Sequence, residues 1–219
     1  MTDLADKLAG KFIVIDGPDG AGKSTQLKRL AEWFRSLGVE PIETRDPGGT
    51  AIGESIRRIL LDTEHAEMAV DCETLLYMAS RTQLWCELIR PALQSGGCVI
   101  SDRWVSATVA YQGAGGVDTE AILAIYNTAL PGVGPDLTVV LDIDSEHGLA
   151  RTGRHEARDR MESKDLAFHR KVRELFLRQA EREPERFVVV DASGEPGQVQ
   201  ERLRQAVASR LGPDEPPAG

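Results

Sequence analysis

The eight residues Gly17-Pro18-Asp19-Gly20-Ala21-Gly22-Lys23-Ser24 fit the pattern G-x-x-x-x-G-K-S/T. Their types suit one task, holding a polyphosphate. Glycines let the backbone curl until successive N–H groups point inward as a nest for oxyanions. The helix that follows such a loop aims its positive end at the same point. Lys23 supplies a mobile charge for the outer phosphates, and Ser24 a hydroxyl for Mg²⁺. The same pattern also occurs as a mere glycine-rich turn, so context decides. Just before it, Phe12-Ile13-Val14-Ile15-Asp16 is apolar and reads as a buried strand. Just after it, Leu27, Leu30, Ala31, Phe34 and Leu37 stand at helical spacing within Thr25 to Leu37. In that strand–loop–helix context, Gly17 through Thr25 are expected to grip the phosphates of a nucleotide.

Three other groupings place charge where chemistry could use it. Arg151, Arg154, Arg158 and Arg160 crowd into a short segment of a chain whose net charge is −9, a local reversal of sign. One reading is a solvated helix face; the other is a mobile lid that closes over phosphates. Phosphoryl transfer spreads negative charge over the equatorial oxygens, and one placed arginine contributes about 10³–10⁵ in rate. The phosphate loop offers one cation, Lys23, because position 20 is a glycine. The missing charge is therefore expected from this segment. Asp102-Arg103 follows the apolar run Cys98 to Ser101. There the acid can hold Mg²⁺, directly or through water, and the arginine can reach a phosphate; the alternative is a strand-terminal salt bridge. Thr44-Arg45-Asp46-Pro47-Gly48-Gly49-Thr50 combines a turn with an arginine and an aspartate at the end of another short strand.

These residues need a scaffold, and the pattern supplies one. Strands are expected at Phe12 to Asp16, Val39 to Thr44, Cys98 to Asp102, Leu137 to Asp142 and Phe187 to Asp191. Helices are expected at Thr25 to Leu37, Ala51 to Leu61, Asp71 to Gln94, around Val105 to Tyr111, Asp118 to Leu130 and Pro196 to Leu211. Such alternation predicts an α/β fold, a doubly wound parallel sheet of about five strands with helices on both faces. Ligands then bind at the carboxyl ends of the strands. One domain is expected over residues 1–211, with a lid at about 151–162 and a disordered proline-bearing tail at 212–219.

Composition bounds the partners. With 41% hydrophobic and 28% charged residues, the 219-residue chain has ordinary globular make-up. Its acidic balance argues against a nucleic-acid polymer, which needs a basic face. No segment reads as a membrane span or a signal peptide, so a cytoplasmic protein is expected. Cys72, Cys86 and Cys98 are widely spaced in apolar contexts and read as three buried thiols rather than a zinc site or disulfide framework.

Taken in order, these motifs resemble the thymidylate kinase family from about Gly10 to about Leu211. Phe12 to Gln26 is similar to the family's opening strand and phosphate loop. Thr44 to Thr50 resembles its T-R-E-P-G-G-T segment, with Asp46 where glutamate is usual. Asp102-Arg103-Trp104 resembles its D-R-Y motif, with Trp104 in place of tyrosine. Ala110 to Gly113, Pro135 to Thr138 and the lid segment Asp159-Arg160-Met161-Glu162 also fit. The resemblance implies transfer of the γ-phosphate of ATP to dTMP, with Mg²⁺, in a homodimeric enzyme. It implies that Asp19 contacts the deoxyribose 3′-hydroxyl region, that Arg45 and Arg103 hold the acceptor phosphate, and that Arg57 lies near it. Tyr77 would stack on thymine, and Arg81, one helical turn later, would bond its edge. Thr108 and Gln112 would complete the base contacts, Asp46 would belong to the acceptor site, and Tyr111 would crowd the 2′ position. Gly20 with an arginine-rich lid resembles the bacterial subtype, whose lid supplies the catalytic arginines; Arg154, Arg158 and Arg160 all remain open for that role beside Lys23 and Arg103. Ser24 and Asp102 would hold the metal. Two rival functions stand beside this one: another phosphate-loop nucleoside or nucleoside-monophosphate kinase, and a nucleotide-switch ATPase. The chain lacks the Asn-Lys-x-Asp guanine reader of a GTPase switch.

Overall fold

The computed structural model describes residues 2–152, 161 and 164–211. In chain order they form α1 (Thr2–Leu8), β1 (Phe12–Asp16), α2 (Lys23–Ser36), β2 (Ile42–Arg45), α3 (Ala51–Leu61), α4 (Val70–Leu84), α5 (Arg90–Gln94), β3 (Val99–Asp102), α6 (Val105–Ala114), α7 (Thr119–Ala129), β4 (Leu137–Asp142), α8 (Ser145–Thr152), α9 (Leu166–Arg182), β5 (Phe187–Asp191) and α10 (Pro196–Leu211). The five strands make one sheet in the order β2-β3-β1-β4-β5, every pair parallel. That is the α/β architecture expected from the alternating pattern.

β1 sits at the centre, with Ile13 paired to Ile100 on one side and to Leu137 on the other. A central parallel strand is covered on both faces, which explains its unbroken apolar run. Successive side chains alternate between faces. Ile13 and Ile15 join Leu30, Phe34, Leu203 and Val207 in a core under α2 and α10. Phe12 and Val14 join Met78, Leu84, Trp104 and Ile122 in a core under α4, α6 and α7. A third cluster, with Val172 and Phe176 of α9 against Ala110 and Tyr111 of α6, closes the fold beside β4.

Several boundaries differ from the sequence reading. β2 starts at Ile42 rather than Val39, because the Val39 N–H closes the end of α2 on the Phe34 carbonyl and Pro41 has no N–H to give. The helical run expected over residues 71–94 passes through a π-helical stretch, Trp85–Ile89, just before Pro91. Proline cannot return the usual bond to the preceding turn, and the widened turn accommodates its ring. α6 runs on to Ala114. α1, α8 and α9 had no assignment in the sequence reading. α9 nonetheless shows a helix signature: Asp165 caps it by accepting from the Phe168 N–H, and His169, Val172, Phe176 and Ala180 form its buried stripe. Of the three cysteines expected to be buried, Cys98 is, but Cys72 and Cys86 are exposed, on the outward face of the run from α4 to the π-helical stretch. No helix among the described residues is long and apolar enough to cross a membrane.

Candidate functional site

The phosphate loop hangs between the carboxyl end of β1 and the start of α2. Asp16, the last residue of β1 and fully buried, anchors it. One carboxylate oxygen accepts from the Gly17 N–H at 2.9 Å and from Arg103 at 3.3 Å; the other accepts from the Ser106 hydroxyl at 2.6 Å. Burial raises the Asp16 pKa, opposed by Arg103 and by these hydrogen bonds. The sequence marks Asp16 as a strand end, and its place directly before the first loop glycine is the signal for this further role.

Two glycines are demanded by close approach. A Cβ on Gly17, at φ 130°, would collide with the Leu141 carbonyl of β4; one on Gly20, at φ 75°, would collide with the backbone of Gly148 in α8. No side chain, and hence no second cation, fits at position 20. Lys23 is buried and folds back on the loop, donating to the Gly17 carbonyl at 3.1 Å and the Pro18 carbonyl at 2.9 Å. Burial lowers its pKa, and Arg103 adds to the effect. Ser24 and Thr25 follow at the exposed N-terminus of α2.

Arg103 ties the loop to α6. Its backbone lies in the left-handed region at φ 72°, held by its N–H on the Ile15 carbonyl and by the Ser101 hydroxyl on its own carbonyl. Such a conformation is strained for a residue with a side chain, by roughly 1–3 kcal/mol. Here it turns the guanidinium back toward the loop. Nη1 donates to Asp16 and the Gly17 carbonyl, and Nη2 to Asp19 at 2.6 Å and to the Tyr111 hydroxyl at 3.0 Å. The guanidinium also lies 4.8 Å over the Tyr111 ring. Burial alone would raise the Asp19 pKa, but Arg103 and Lys23 outweigh it and hold that carboxyl below its ordinary value. His169, unassigned in the sequence reading, lies buried on α9 with Nδ1 4.0 Å from Asp19.

Asp19, Asp46, Arg57, Tyr77, Arg81, Arg103, Thr108, Tyr111 and Gln112 all line one cavity, of about 520 Å³ including its open mouth. α4 places Tyr77 and Arg81 one turn apart on its inner face; α6 supplies Thr108, Tyr111 and Gln112. Arg81 is 1% exposed: Nε donates to Asp46 at 2.6 Å, and Nη2 to Thr108 at 2.9 Å and to the Trp104 carbonyl at 3.2 Å. The shorter carboxylate at position 46 thus reaches Arg81 directly. Trp104 is core: its indole N–H donates to the Tyr126 hydroxyl at 2.9 Å. Arg57 donates to the Pro47 carbonyl at 2.9 Å and is half-buried at the cavity edge. Met161, the described residue of Asp159 to Glu162, also reaches the cavity. Arg154, Arg158 and Arg160 lie outside the described residues.

Arg45 is not among the cavity residues. It is exposed, paired with Glu54 at 2.9 Å, and lines an adjoining cleft with Ser24 and Asp102. The Ser24 hydroxyl donates to one Asp102 oxygen at 3.3 Å, while the other Asp102 oxygen is buried without a hydrogen-bond partner among the described residues. A hydroxyl and an under-used carboxylate are hard oxygen donors of the kind Mg²⁺ takes. On the far side of the loop, a second cleft runs between Gly20 to Gln26 and Ala192 to Val199. Arg151 of α8 crosses it, bonding the Gly20, Ala192 and Gly194 carbonyls at 3.3–3.5 Å. Arg151, expected in the lid, is set by the fold against the loop.

A cavity and a cleft thus meet at one phosphate loop, at the carboxyl ends of parallel strands. Comparison with known proteins agrees. The thymidylate kinase family model matches residues 15–203. A thymidylate kinase of Alcanivorax borkumensis is 44% identical over 201 residues, covering 91% of this chain and 97% of that protein. One of Deinococcus radiodurans is 44% identical over 202 residues, 92% of this chain and 98% of that protein. One of Pseudomonas fluorescens is 44% identical over 197 residues. A family match over residues 15–203 and 44% identity over 91% of the chain make this chain a member of the thymidylate kinase family.

Proposed function

We propose that the protein transfers the γ-phosphate of ATP to dTMP, with dTMP in the cavity between α4 and α6 and ATP across the phosphate loop into the cleft crossed by Arg151. The observation that carries this is that nine residues expected at the acceptor site, spread from position 19 to position 112, line one cavity at the loop. Family membership favours this over another kinase or a switch ATPase.

An oxygen of the dTMP phosphate attacks the γ-phosphorus. A P–O bond forms there as the bond to the β-phosphate oxygen breaks, and ADP leaves. The attacking phosphate is already an anion, so no general base is needed, and catalysis is positioning plus charge neutralisation. Loop N–H groups and Lys23 hold the donor phosphates. Arg103, fixed by Asp16, Asp19 and Tyr111, faces the acceptor phosphate, with Arg57 nearby. Arg45 would reach an acceptor phosphate only by leaving Glu54. Tyr77 offers its ring to thymine, Arg81 and Thr108 a polar edge, and Asp19 and Tyr111 the sugar side. Ser24 and Asp102 would hold a Mg²⁺ ion, which neutralises phosphate charge when bound. Arg154, Arg158 and Arg160 enter as lid arginines that complete the charge around the transferring group.

The exposed apolar residues Ile52 and Ile59 on α3 and Leu75 on α4 support a homodimer. All three cysteines are free, which supports a reducing, cytoplasmic setting.

The test is ADP release measured with a panel of monophosphates. dTMP should stimulate turnover well above AMP, GMP and thymidine. Equal stimulation by AMP or GMP, or ATP turnover independent of acceptor, would overturn the assignment.

A further inference from the structure

The cavity has a polar lock that this activity leaves unexplained. Glu73, in the first turn of α4, is 3% exposed, and Gln112 of α6 is 1% exposed. The Gln112 amide nitrogen donates to the Glu73 carboxylate at 2.6 Å. The Gln112 carbonyl oxygen is buried without a hydrogen-bond partner among the described residues, and the residue lines the cavity.

We infer that Glu73 is a specificity-determining positioning residue, which fixes the Gln112 amide so that its carbonyl is the group left for the base, and so selects a lactam pyrimidine over cytosine. This rests on the proposed dTMP acceptor. A carboxylate only accepts hydrogen bonds, whereas the glutamine amide can donate at one end and accept at the other. Turning the amide over would set its oxygen against a carboxylate oxygen at the same 2.6 Å, with no hydrogen between them. Glu73 therefore admits one orientation, with the carbonyl left as acceptor. Thymine and uracil carry an N–H at ring position 3 and satisfy that acceptor; cytosine carries a lone pair there and opposes it. A buried polar group left unpaired by the wrong ligand is the strong form of discrimination, about 10⁴–10⁵ in favourable sites. Glu73, Tyr77 and Arg81 recur every fourth residue, along one face of α4. The Arg81–Thr108 bond and the Glu73–Gln112 bond are thus two rungs joining α4 to α6 across the cavity.

The test is Glu73→Gln, which keeps the volume but can donate as well as accept, so the Gln112 amide turns freely. kcat/KM is measured for dTMP, dUMP and dCMP beside a melting curve. The dTMP:dCMP ratio should fall by about ten- to a hundredfold, Arg81 keeping the remainder, while the dTMP:dUMP ratio, which senses only the methyl group, holds. A merely structural Glu73 would lower all three values together and leave the dTMP:dCMP ratio unchanged, which would overturn the inference. Should the variant not fold, N3-methylated dTMP offered to the wild-type enzyme decides: it should be used at least about a hundredfold less well than dTMP, and equal use would refute the accepting carbonyl. Wild-type protein inactive on dTMP would bring down the functional proposal and this inference with it; an active wild type with an unchanged variant ratio removes this inference alone.

Discussion

Arg81 is the position where binding and folding are hardest to separate, and the structure says how to separate them. Arg81→Met keeps most of the volume but removes the charge that faces Asp46 at 2.6 Å, with both side chains at most 1% exposed. It also removes the bonds to Thr108 and the Trp104 carbonyl and the cation held 5.4 Å over the Trp104 ring. Breaking a buried pair from one side leaves an uncompensated charge, here on Asp46, and costs about 3–5 kcal/mol. For a chain of this size that lowers Tm by about 6–20 °C. Asp46→Asn strands the arginine instead and should cost a similar amount. The double variant removes both charges, so it should be more stable than the sum of the two losses predicts, by about 2–3 kcal/mol. Urea unfolding of the four proteins measures the cycle, and acceptor kinetics on the same samples measure binding. The dTMP KM should rise in Arg81→Met while the ATP KM changes little. Additivity within about 0.5 kcal/mol, or a single-variant loss below about 1 kcal/mol, would refute the view that Arg81 is first a buried structural partner of Asp46.

Three other expectations follow from the same structure. Lys23→Ala removes the cation cradled by the Gly17 and Pro18 carbonyls and should lower kcat by about 10²–10³ or more with the fold retained; near-normal turnover in a coupled assay would undo the loop assignment. The Asp19 carboxyl, held below the ordinary aspartate value by Arg103 and Lys23 against the effect of burial, stabilises the fold fully above that ordinary value and loses its contribution as pH falls through the lower folded one. The stability difference between wild type and Asp19→Asn should therefore be flat from neutral pH down to about 4 and shrink below it; a difference that grows on acidification would contradict this sign. Burial pushes the Cys98 thiol up to about 12, so pulse alkylation of native protein read by mass spectrometry should leave Cys98 unlabelled until denaturant is added. Labelling of Cys98 as fast in native protein as in urea would refute its burial.

Local signals carried the sequence a long way. The limits of β1, β4, β5, α3 and α10 follow from apolar runs and breakers that act over a few residues, and the structure has them at the expected bounds. Gly17 to Ser24 declares its chemistry because the nest is built from consecutive backbone groups, so its parts are adjacent in the chain. Residues four apart on one helix, such as Tyr77 and Arg81, could be placed together for the same reason.

What the chain order could not show is which distant groups meet. Asp46 and Arg81 are 35 positions apart, Glu73 and Gln112 are 39, and Asp16 and Ser106 are 90, yet each pair lies within hydrogen-bond distance. Those contacts exist only once β3 is inserted beside β1 and α4 and α6 pack on the same face of the sheet. The exposure of Cys72 and Cys86, the turn of Arg45 to Glu54, and the need for glycine at position 20 against Gly148 likewise depend on which surfaces the packing brings together. Backbone conformation and chemical capacity are encoded near each residue; partner, burial and charge environment are set by the sheet order and the helices laid across it.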